Sequence, residues 1–429
     1  MRQYENYKDS SIPWVGLIPS SWMTIPNKKV MSKEKEICSK WQGEDVMSLT
    51  MNGVIVRDLV NPSGKMPATF DGYQYVDDGE LLMCLFDIDV TPRCIGRVYQ
   101  RGVTSPAYSR FKLKENAYVG YYYYYYLMMD YTKELLHLAK NIRHSFTEEQ
   151  LGALKVPLPP FEEQKRIADY LDSRCGEIDS LIEEAKASIG EYKRWKAIII
   201  NEAVTLGLKK GSPLQNTDIP GAERIPAHWK LNRFKNIATE LYKGSGITKE
   251  DVVDDGNVSC VRYGEIYSKY DILFDECLTK TELDTISNKR FFSTGDILFA
   301  GTGELVEEIG KNIVYLGTEK CLAGGDIIVA KHCENPSFLS YALNSIYVQE
   351  QKSKGKAKLK VVHISAAEIG NLIVALPPIN EQVAIADFLT DHCTKIDSII
   401  CEKDELISDL EMYKRSLIYE TVTGKRKVV

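Results

Sequence analysis

The chain has 429 residues, 44% hydrophobic and 27% charged, which predicts a globular protein of two or three domains. Proteins that bind nucleic acids tightly are often basic overall, so a net charge of −6 argues against autonomous tight nucleic-acid binding. A local basic surface remains compatible with this net charge. Because no apolar run approaches the ~20 residues of a membrane helix and the N-terminus lacks a signal-peptide pattern, we expect a cytoplasmic protein without a membrane partner. The ten scattered cysteines form no CxxC pair, so we expect reduced thiols and neither a disulfide frame nor a zinc site.

The first half of the chain opens with the motif Ile18-Pro19-Ser20-Ser21-Trp22. Short β-type runs punctuated by Gly and Asp follow, such as Leu81 to Phe86, and predict a mixed α/β segment. Tyr121 to Tyr126 fits a strand by propensity, but its counterpart later in the chain, Phe338 to Val348, fits a helix. We therefore predict a helix for both. The pattern Thr147-x-x-Gln150 then predicts a capping box.

A long helix is predicted from Pro160 to Thr205. Proline is tolerated at a first helical position, and Glu162 and Glu163 are favourable near a helix N-terminus. The segment has 46 residues and no internal proline. At 1.5 Å per residue it would extend about 69 Å.

The second half repeats this plan. The residues from Val156 to Leu206 match those from Val374 to Gly424 at a constant offset of 218, with 22 identities in 51 positions. The opening motif recurs as Ile225-Pro226-Ala227-His228-Trp229, and a second capping box is predicted at Ser365-x-x-Glu368. The segments between these anchors share almost no identity. The two halves are therefore predicted to have one plan but different surfaces.

Both repeated segments carry apolar residues at the 3–4 spacing of a coiled-coil seam. The seam residues that we single out are Ile167, Leu171, Ile178, Ile182 and Ile189 in the first helix and Ile385, Leu389, Ile396, Ile400 and Ile407 in the second. Lys196 and Lys414 occupy the same seam position, where a polar residue would help to fix the register. The alternative is two unrelated surface helices, each docked on its own domain.

The doubled pattern of IPxxW, a variable segment and an LPPxxEQ helix ending near Val-Thr resembles the specificity subunits of type I restriction–modification enzymes. The resemblance covers nearly the whole chain. It implies an α+β fold with two mixed α/β target-recognition domains, each reading half of a bipartite, asymmetric site in double-stranded DNA. It also implies that the two long helices form an antiparallel coiled coil related by a pseudo-two-fold repeat. Leu206, which stands where the second copy has Gly424, is a small departure.

The resemblance also implies a domain organisation and partners. The expected segments are 1–155 for the first recognition domain with its N-terminal stretch, 156–207 for the central helix, 208–373 for the linker and second recognition domain, and 374–429 for the C-terminal helix. The expected partners are DNA, two modification (methyltransferase) subunits docked on the helices, and restriction subunits that join that core. No cofactor is expected.

The residues proposed to contact DNA are basic, except for one serine, and lie in or near loops of the variable segments. The segment Lys352 to Lys360 has five lysines at alternate positions, which an extended conformation would place on one face to track phosphates. A solvated loop is the alternative. Lys354, Lys356, Lys358 and Lys360 represent this strip among the candidate sites.

Further candidates lie at corresponding places in the two halves. The loops Met83–Cys94 and Phe299–Ile309 are candidate base-reading loops, and side chains in or beside them could reach phosphates or guanine edges. Lys243-Gly244-Ser245-Gly246 is interpreted as a flexible basic loop. Ordinary surface positions are the alternative for each. The candidates outside the lysine strip are Arg93, Arg97, Arg143, Lys243, Ser245 and Lys311.

The sequence favours a subunit without catalytic chemistry of its own. Phe299-Ala300-Gly301-Thr302-Gly303 and Asn335-Pro336-Ser337-Phe338 are similar to methyltransferase motifs, but the 36 residues between Phe299 and Asn335 are too few for several βα units of ~30 residues each. The chain contains no GxxxxGK[ST] motif, so a P-loop motor is not expected. The six histidines show no metal-ligand spacing. The alternative function is a coiled-coil adaptor that binds proteins and never contacts DNA.

Overall fold

A computed structural model describes residues 3–62, 64, 66–91, 93–139, 145–357 and 361–428. The chain divides into two compact units. The first unit comprises Met1–Lys186 with Asp404–Val429, and the second comprises Ala187–Lys403. The fold is a mixture of helix and sheet in each. Within the described residues, no helix combines the length and the apolar character needed to cross a membrane.

The first unit contains a four-stranded antiparallel sheet, a five-stranded mixed sheet, two short strand pairs and a helix rich in tyrosine. Its strands are β1 (Tyr7–Asp9), β2 (Leu17–Pro19), β3 (Met23–Pro26), β4 (Met31–Glu34), β5 (Ile37–Cys38), β6 (Val46–Thr50), β7 (Gly53–Val56), β8 (Tyr73–Val76), β9 (Leu81–Met83), β10 (Ile95–Arg97), β11 (Gly102–Thr104), β12 (Ser109–Leu113) and β13 (Lys155–Leu158). Its helices are α1 (Val119–Tyr131), α2 (Glu134–Leu138), α3 (Glu148–Ala153) and the start of α4 (Phe161–Leu206).

The second unit repeats this mixture. Its strands are β14 (Leu214–Asn216), β15 (Arg224–Pro226), β16 (Lys230–Arg233), β17 (Ala238–Lys243), β18 (Val258–Val261), β19 (Leu273–Phe274), β20 (Thr279–Thr281), β21 (Phe291–Phe292), β22 (Ile297–Ala300), β23 (Thr302–Gly303), β24 (Asn312–Tyr315), β25 (Cys321–Ala323), β26 (Ile327–His332), β27 (Val362–His363) and β28 (Ile373–Leu376). Its helices are α5 (Phe234–Ile237), α6 (Tyr263–Ser268), α7 (Pro336–Leu343), α8 (Ile346–Ser353), α9 (Ala366–Gly370) and the start of α10 (Ile379–Val422).

The order of strands is alike in the two units, although their sequences are not. In the first unit one sheet has the order β4-β12-β9-β10, and in the second the order β17-β26-β22-β24 is extended by β19. The other sheet runs β8-β11-β6-β7 with β5 at its edge, against β21-β25-β18-β20. The inner pair of this sheet is parallel in both, β11 with β6 and β18 with β25. Different side chains therefore support one arrangement of strands.

Helix α1 confirms the helix prediction for the tyrosine run and shows why it is buried. Most tyrosine hydroxyls of this helix find a hydrogen-bond partner in the first unit, which is what burial of a polar group requires. Tyr122 donates to the Pro157 carbonyl (3.0 Å), and Tyr124 donates to Asp172 of α4 (2.8 Å). Burial raises the pKa of Tyr124 well above its ordinary value, so the hydroxyl stays protonated as a donor. The later counterpart is also helical, as α7 and the start of α8.

The long helices α4 and α10 each contribute a segment to both units. In each unit the two segments contact each other and run antiparallel. In the first unit Asp179 pairs with Lys414 (2.6 Å), and Tyr170 accepts from Arg426 (3.4 Å). In the second, Lys196 pairs with Asp397 (2.7 Å), while the Lys403 ammonium lies 5.9 Å from the ring centroid of Tyr192. Each unit thus contains an antiparallel pair of helix segments.

Candidate nucleic-acid interface

The glutamine of the repeated LPPxxEQ motif attaches each variable segment to its long helix. The Gln164 amide oxygen accepts from the backbone N–H of Tyr118, directly before α1 (2.8 Å). Gln382 accepts in the same way from Asn335, directly before α7 (3.0 Å). Both glutamines are buried. The motif is repeated because it satisfies a helix N-terminus and fixes the orientation of the adjoining domain.

The IPxxW motif packs on the end of a long helix in each unit. Gly424 and Gly207 both have φ of 72°, a left-handed conformation that favours glycine where a helix ends. A Cβ added at either would lie 3.1 Å from the indole of Trp22 or Trp229, respectively. The departure at Leu206 is therefore a shift of one residue, since Gly207 takes the place of Gly424.

The predicted seam residues lie on the covered faces of the long helices. Those that are buried are Ile167, Leu171, Ile178, Ile182, Ile189, Ile385, Leu389 and Ile396. Ile400 and Ile407 are partly buried. The seam lysines are held by carboxylates, Lys196 by Asp397 and Asp271 (2.7 and 2.9 Å) and Lys414 by Asp179 (2.6 Å). An off-register pairing would separate these charges.

The prediction of an extended lysine strip is wrong at its start. Lys352 belongs to α8 and is 1% exposed. Its ammonium donates to the Gly310 carbonyl (2.8 Å) and to the Asn312 side-chain oxygen (3.2 Å). Burial lowers the pKa of Lys352 to about 7. The helix continues past the point where the alternation begins, so Lys352 turns inward and cannot contact a phosphate.

The remainder of the strip is divided. Lys354 is exposed, but Lys356 is half-buried and pairs with Glu368 of the second capping box (2.7 Å). The bond from Lys356 is the main cause that holds the pKa of Glu368 down at about 2. Lys358 and Lys360 lie outside the described residues. The DNA contacts proposed for the strip therefore depend on Lys354, Lys358 and Lys360.

Among the arginines of the first unit, Arg97 is constrained and Arg93 is more open. Arg97 lies on β10 with its guanidinium over the ring of Tyr99 (4.9 Å) and 3.8 Å from Asp172. Arg93 donates weakly to the Tyr131 hydroxyl (3.4 Å), and no carboxylate of the described residues pairs with it. Arg143, which holds in the first half the place that the lysine strip has in the second, lies outside the described residues.

The interpretation of Lys243 to Gly246 as a flexible loop is wrong for Ser245. Ser245 is fully buried, and its hydroxyl accepts from the backbone N–H of Arg290 (2.8 Å). Gly244 is also buried, because its backbone packs against that of Ala323 and Gly324 and leaves no room for a Cβ. Lys243 remains exposed at the end of β17.

Arg290 is a candidate that sequence reasoning missed. It is exposed, and its guanidinium lies over the ring of Tyr242, 5.8 Å from the centroid. No carboxylate of the described part of the chain pairs with it or with the neighbouring Lys243, so both charges are available to an anion. The dibasic pair Lys289-Arg290, directly before Phe291-Phe292, is the signal that could have identified it.

The second predicted base-reading loop, Phe299–Ile309, differs in character from the first. Its exposed part carries Glu304, Leu305 and Glu308, and a short 3-10 turn covers Val306–Glu308. Lys311 follows the loop, but it is partly buried and donates to the Tyr270 carbonyl (3.3 Å). Burial lowers the pKa of Lys311. A carboxylate-rich loop is suited to accept from base amino groups rather than to neutralise phosphates.

Comparison with known proteins gives one family. The family model described as "Type I restriction modification DNA specificity domain" matches residues 86–189 and 226–407. A curated relative, the type I restriction enzyme MjaVIII specificity subunit of Methanocaldococcus jannaschii, is 24% identical over 285 residues, which cover 64% of this chain and 63% of the relative. The EcoKI specificity subunit of Escherichia coli K12 is 24% identical over 287 residues, 63% of this chain and 58% of that protein. The matched regions thus span about three fifths of these relatives.

One solved structure has a similar fold. A chain from work on complex assembly and conformational transition of the type I R-M system aligns with a TM-score of 0.68 at 14% sequence identity. The alignment covers 94% of this chain and 98% of that chain. The alignment therefore includes residues of both units.

Proposed function

The chain belongs to the family of type I restriction–modification DNA specificity domains, and from this premise we propose that it reads a bipartite, asymmetric sequence in double-stranded DNA. In this role it is a subunit without a catalytic site. Its partners are two modification subunits, which carry the methyltransferase activity, and restriction subunits that join the same complex. It works in the cytoplasm and needs no cofactor for recognition.

The observation that carries this proposal is one scaffold presenting two different surfaces. Each unit has the same strand order, the same glutamine attachment and the same tryptophan packing at the end of a long helix. The loops differ, as Arg93 within Met83–Cys94 and the acidic 304–308 loop illustrate. Two surfaces that differ on one scaffold suit an asymmetric target with two unlike halves.

We further propose that α4 and α10 form an antiparallel coiled coil with pseudo-two-fold symmetry. The ion pairs support it, since the 218-residue offset converts Asp179 into Asp397 and Lys196 into Lys414. Each pair thus has its counterpart in the other unit. The recognition domains are assigned to 1–155 and 208–373, and the helical segments 156–207 and 374–429 space them and dock the modification subunits.

The contacts with DNA are proposed to come from exposed cations and loops. Lys243 and Arg290 are assigned to phosphates, together with Lys354, Lys358 and Lys360. Arg143 holds, in the first domain, the place that the lysine strip has in the second. Arg97 and Lys311 contribute less, because their side chains are already engaged. Phosphate contacts position the protein, whereas contacts with base edges determine the sequence.

The experiment is to purify the complex of this chain with its modification subunits and measure DNA binding at several salt concentrations. Salt-dependent binding, with a bipartite motif in the mapped methylated sites of the host DNA, is the expected result. The alternative, a coiled-coil protein adaptor, predicts a stable complex that binds no DNA at any salt concentration. Exchanging residues of about 21–155 for those of another family member should change one half of the motif only.

A further inference from the structure

A cleft opens on the first unit between a hairpin turn and the first predicted base-reading loop. The hairpin is formed by β6 and β7, and Met51 stands at its turn. The loop connects β9 and β10 and contributes Phe86, Thr91 and Arg93, while Tyr108 completes the lining. The volume of the cleft is about 300 Å³. Sequence reasoning identified the loop but not the hairpin.

Both walls of the cleft are fixed by contacts beneath them. Gly96 of β10 lies against the hairpin so closely that an added Cβ would fall 2.5 Å from Val54 and 2.7 Å from Leu49. Within the loop, the Thr91 hydroxyl and backbone N–H both donate to the Asp87 carbonyl (2.8 and 2.9 Å). The cleft is therefore formed before any ligand arrives, which lowers the entropic cost of binding.

The rim of the cleft carries exposed apolar side chains. Of the residues that line the cleft, Met51 is 59% exposed and Phe86 is 38% exposed. These side chains do not belong to the core of the unit. An exposed group of apolar side chains beside polar ones is typical of a binding surface.

The polar groups favour base edges over phosphates as the occupant. Arg93 offers guanidinium donors to which no carboxylate of the described residues is paired. Exposed Asp87 and Asp89 lie in the same loop, and their negative charge would repel a phosphate backbone. In the major groove, an arginine recognises guanine O6 and N7, a carboxylate accepts from the cytosine amino group, and an apolar side chain contacts the thymine methyl.

We propose that this cleft reads base-pair edges in one half of the DNA target, with Arg93 against a guanine and Met51 and Phe86 against a thymine methyl. The inference rests on the proposed function and deepens it, because it assigns sequence discrimination to named side chains. It also makes the β6–β7 hairpin part of the reading surface, in addition to the loop.

The test uses the complex with its modification subunits in a host that lacks the wild-type gene, and maps the methylated motif. The variants are Arg93→Gln, Met51→Ala and Phe86→Ala. The matched control is Val60→Ala, an exposed apolar residue of the same unit that does not line the cleft. Thermal unfolding and complex size are checked for each, and we expect no change because all three side chains lie at the surface or rim.

Each cleft variant should relax discrimination at one or two adjacent positions of a single half-site, by about 10- to 100-fold. The control and the other half-site should be unchanged. If folded cleft variants methylate the wild-type motif, or if Arg93→Gln weakens binding to all sequences alike, the base-reading role is wrong. A wild-type complex that neither binds nor methylates DNA would instead overturn the proposed function itself, so the two failures are distinguishable.

Discussion

Lys352 provides a test of whether a buried amine without a counter-ion is held inside the second unit. Its ammonium is bonded to the Gly310 carbonyl and the Asn312 side chain, and no carboxylate of the described residues pairs with it. Lys352→Met keeps the length and apolar stem of the side chain but removes the charge and the donors. The two acceptors left without a partner should lower the free energy of unfolding by roughly 1–3 kcal/mol at any pH.

The pH dependence isolates the charge. Burial lowers the pKa of Lys352 from 10.5 to about 7, so between these values the unfolded chain binds the proton more readily than the folded chain does. The free energy of unfolding of the wild type should therefore rise with pH across this window. Below about pH 7 the folded chain bears the full cost of burying the charged amine. From pH 7 to pH 9 this rise should be about 2 kcal/mol relative to Lys352→Met.

The assay is urea unfolding at both pH values, followed by amide hydrogen exchange of the peptide that contains α8. Comparing the wild type with Lys352→Met cancels the other groups that titrate in this range. The control is Lys354→Met, two residues away and exposed, which should follow the wild-type pH dependence. If the wild type and Lys352→Met shift equally between pH 7 and pH 9, the amine is not buried as described and the reasoning is refuted.

Other predictions concern the seam, a buried ion pair and the lysine strip. Ile178→Asp combined with Ile396→Asp places carboxylates at two buried seam positions. The double variant should uncouple the domains and weaken the docking of modification subunits. An intact complex in size-exclusion chromatography would contradict this expectation. Glu80→Gln removes the charge of a buried carboxylate that accepts from the Arg110 guanidinium, although Arg110 keeps a second carboxylate partner in Asp77 (2.9 Å). The variant should destabilise the first unit by about 1–3 kcal/mol, measured by urea unfolding, whereas equal stability would show that the pair is dispensable. Replacing Lys358 and Lys360 with Gln should weaken DNA binding for all sequences and reduce the slope of log K against log salt by about two; a changed motif would mean that they read bases.

The repeated anchors could be predicted because their physical signals are local. The 218-residue offset, the apolar spacing of the long helices and both capping boxes were evident in the sequence, and the capping boxes are present as predicted. The seam isoleucines lie on buried faces because a period near 3.5 residues leaves a helix only one apolar side. Local spacing therefore identified the scaffold.

The candidate site was predicted less well, because a basic residue in a sequence carries no mark of its environment. Lys352 and Ser245 were assigned to solvent-facing loops, yet both are buried by contacts with residues about 40 to 80 positions away. Arg290 and Met51 were missed, since their exposure depends on how β17 and the β6–β7 hairpin pack. Alternating lysines predicted an extended face, but the preceding helix continued to Ser353.

By itself the sequence determined the doubled plan and the resemblance to a family, because both depend on motifs that recur along the chain. Only the tertiary structure decided which cations remain free, since that depends on carboxylates and carbonyls brought together from distant segments. Lys356 and Lys354 are two residues apart, but Glu368 pairs with the first and leaves the second to solvent. Which lysines and arginines keep a free charge depends on how the chain packs, whereas the spacing of apolar residues is present in the sequence itself.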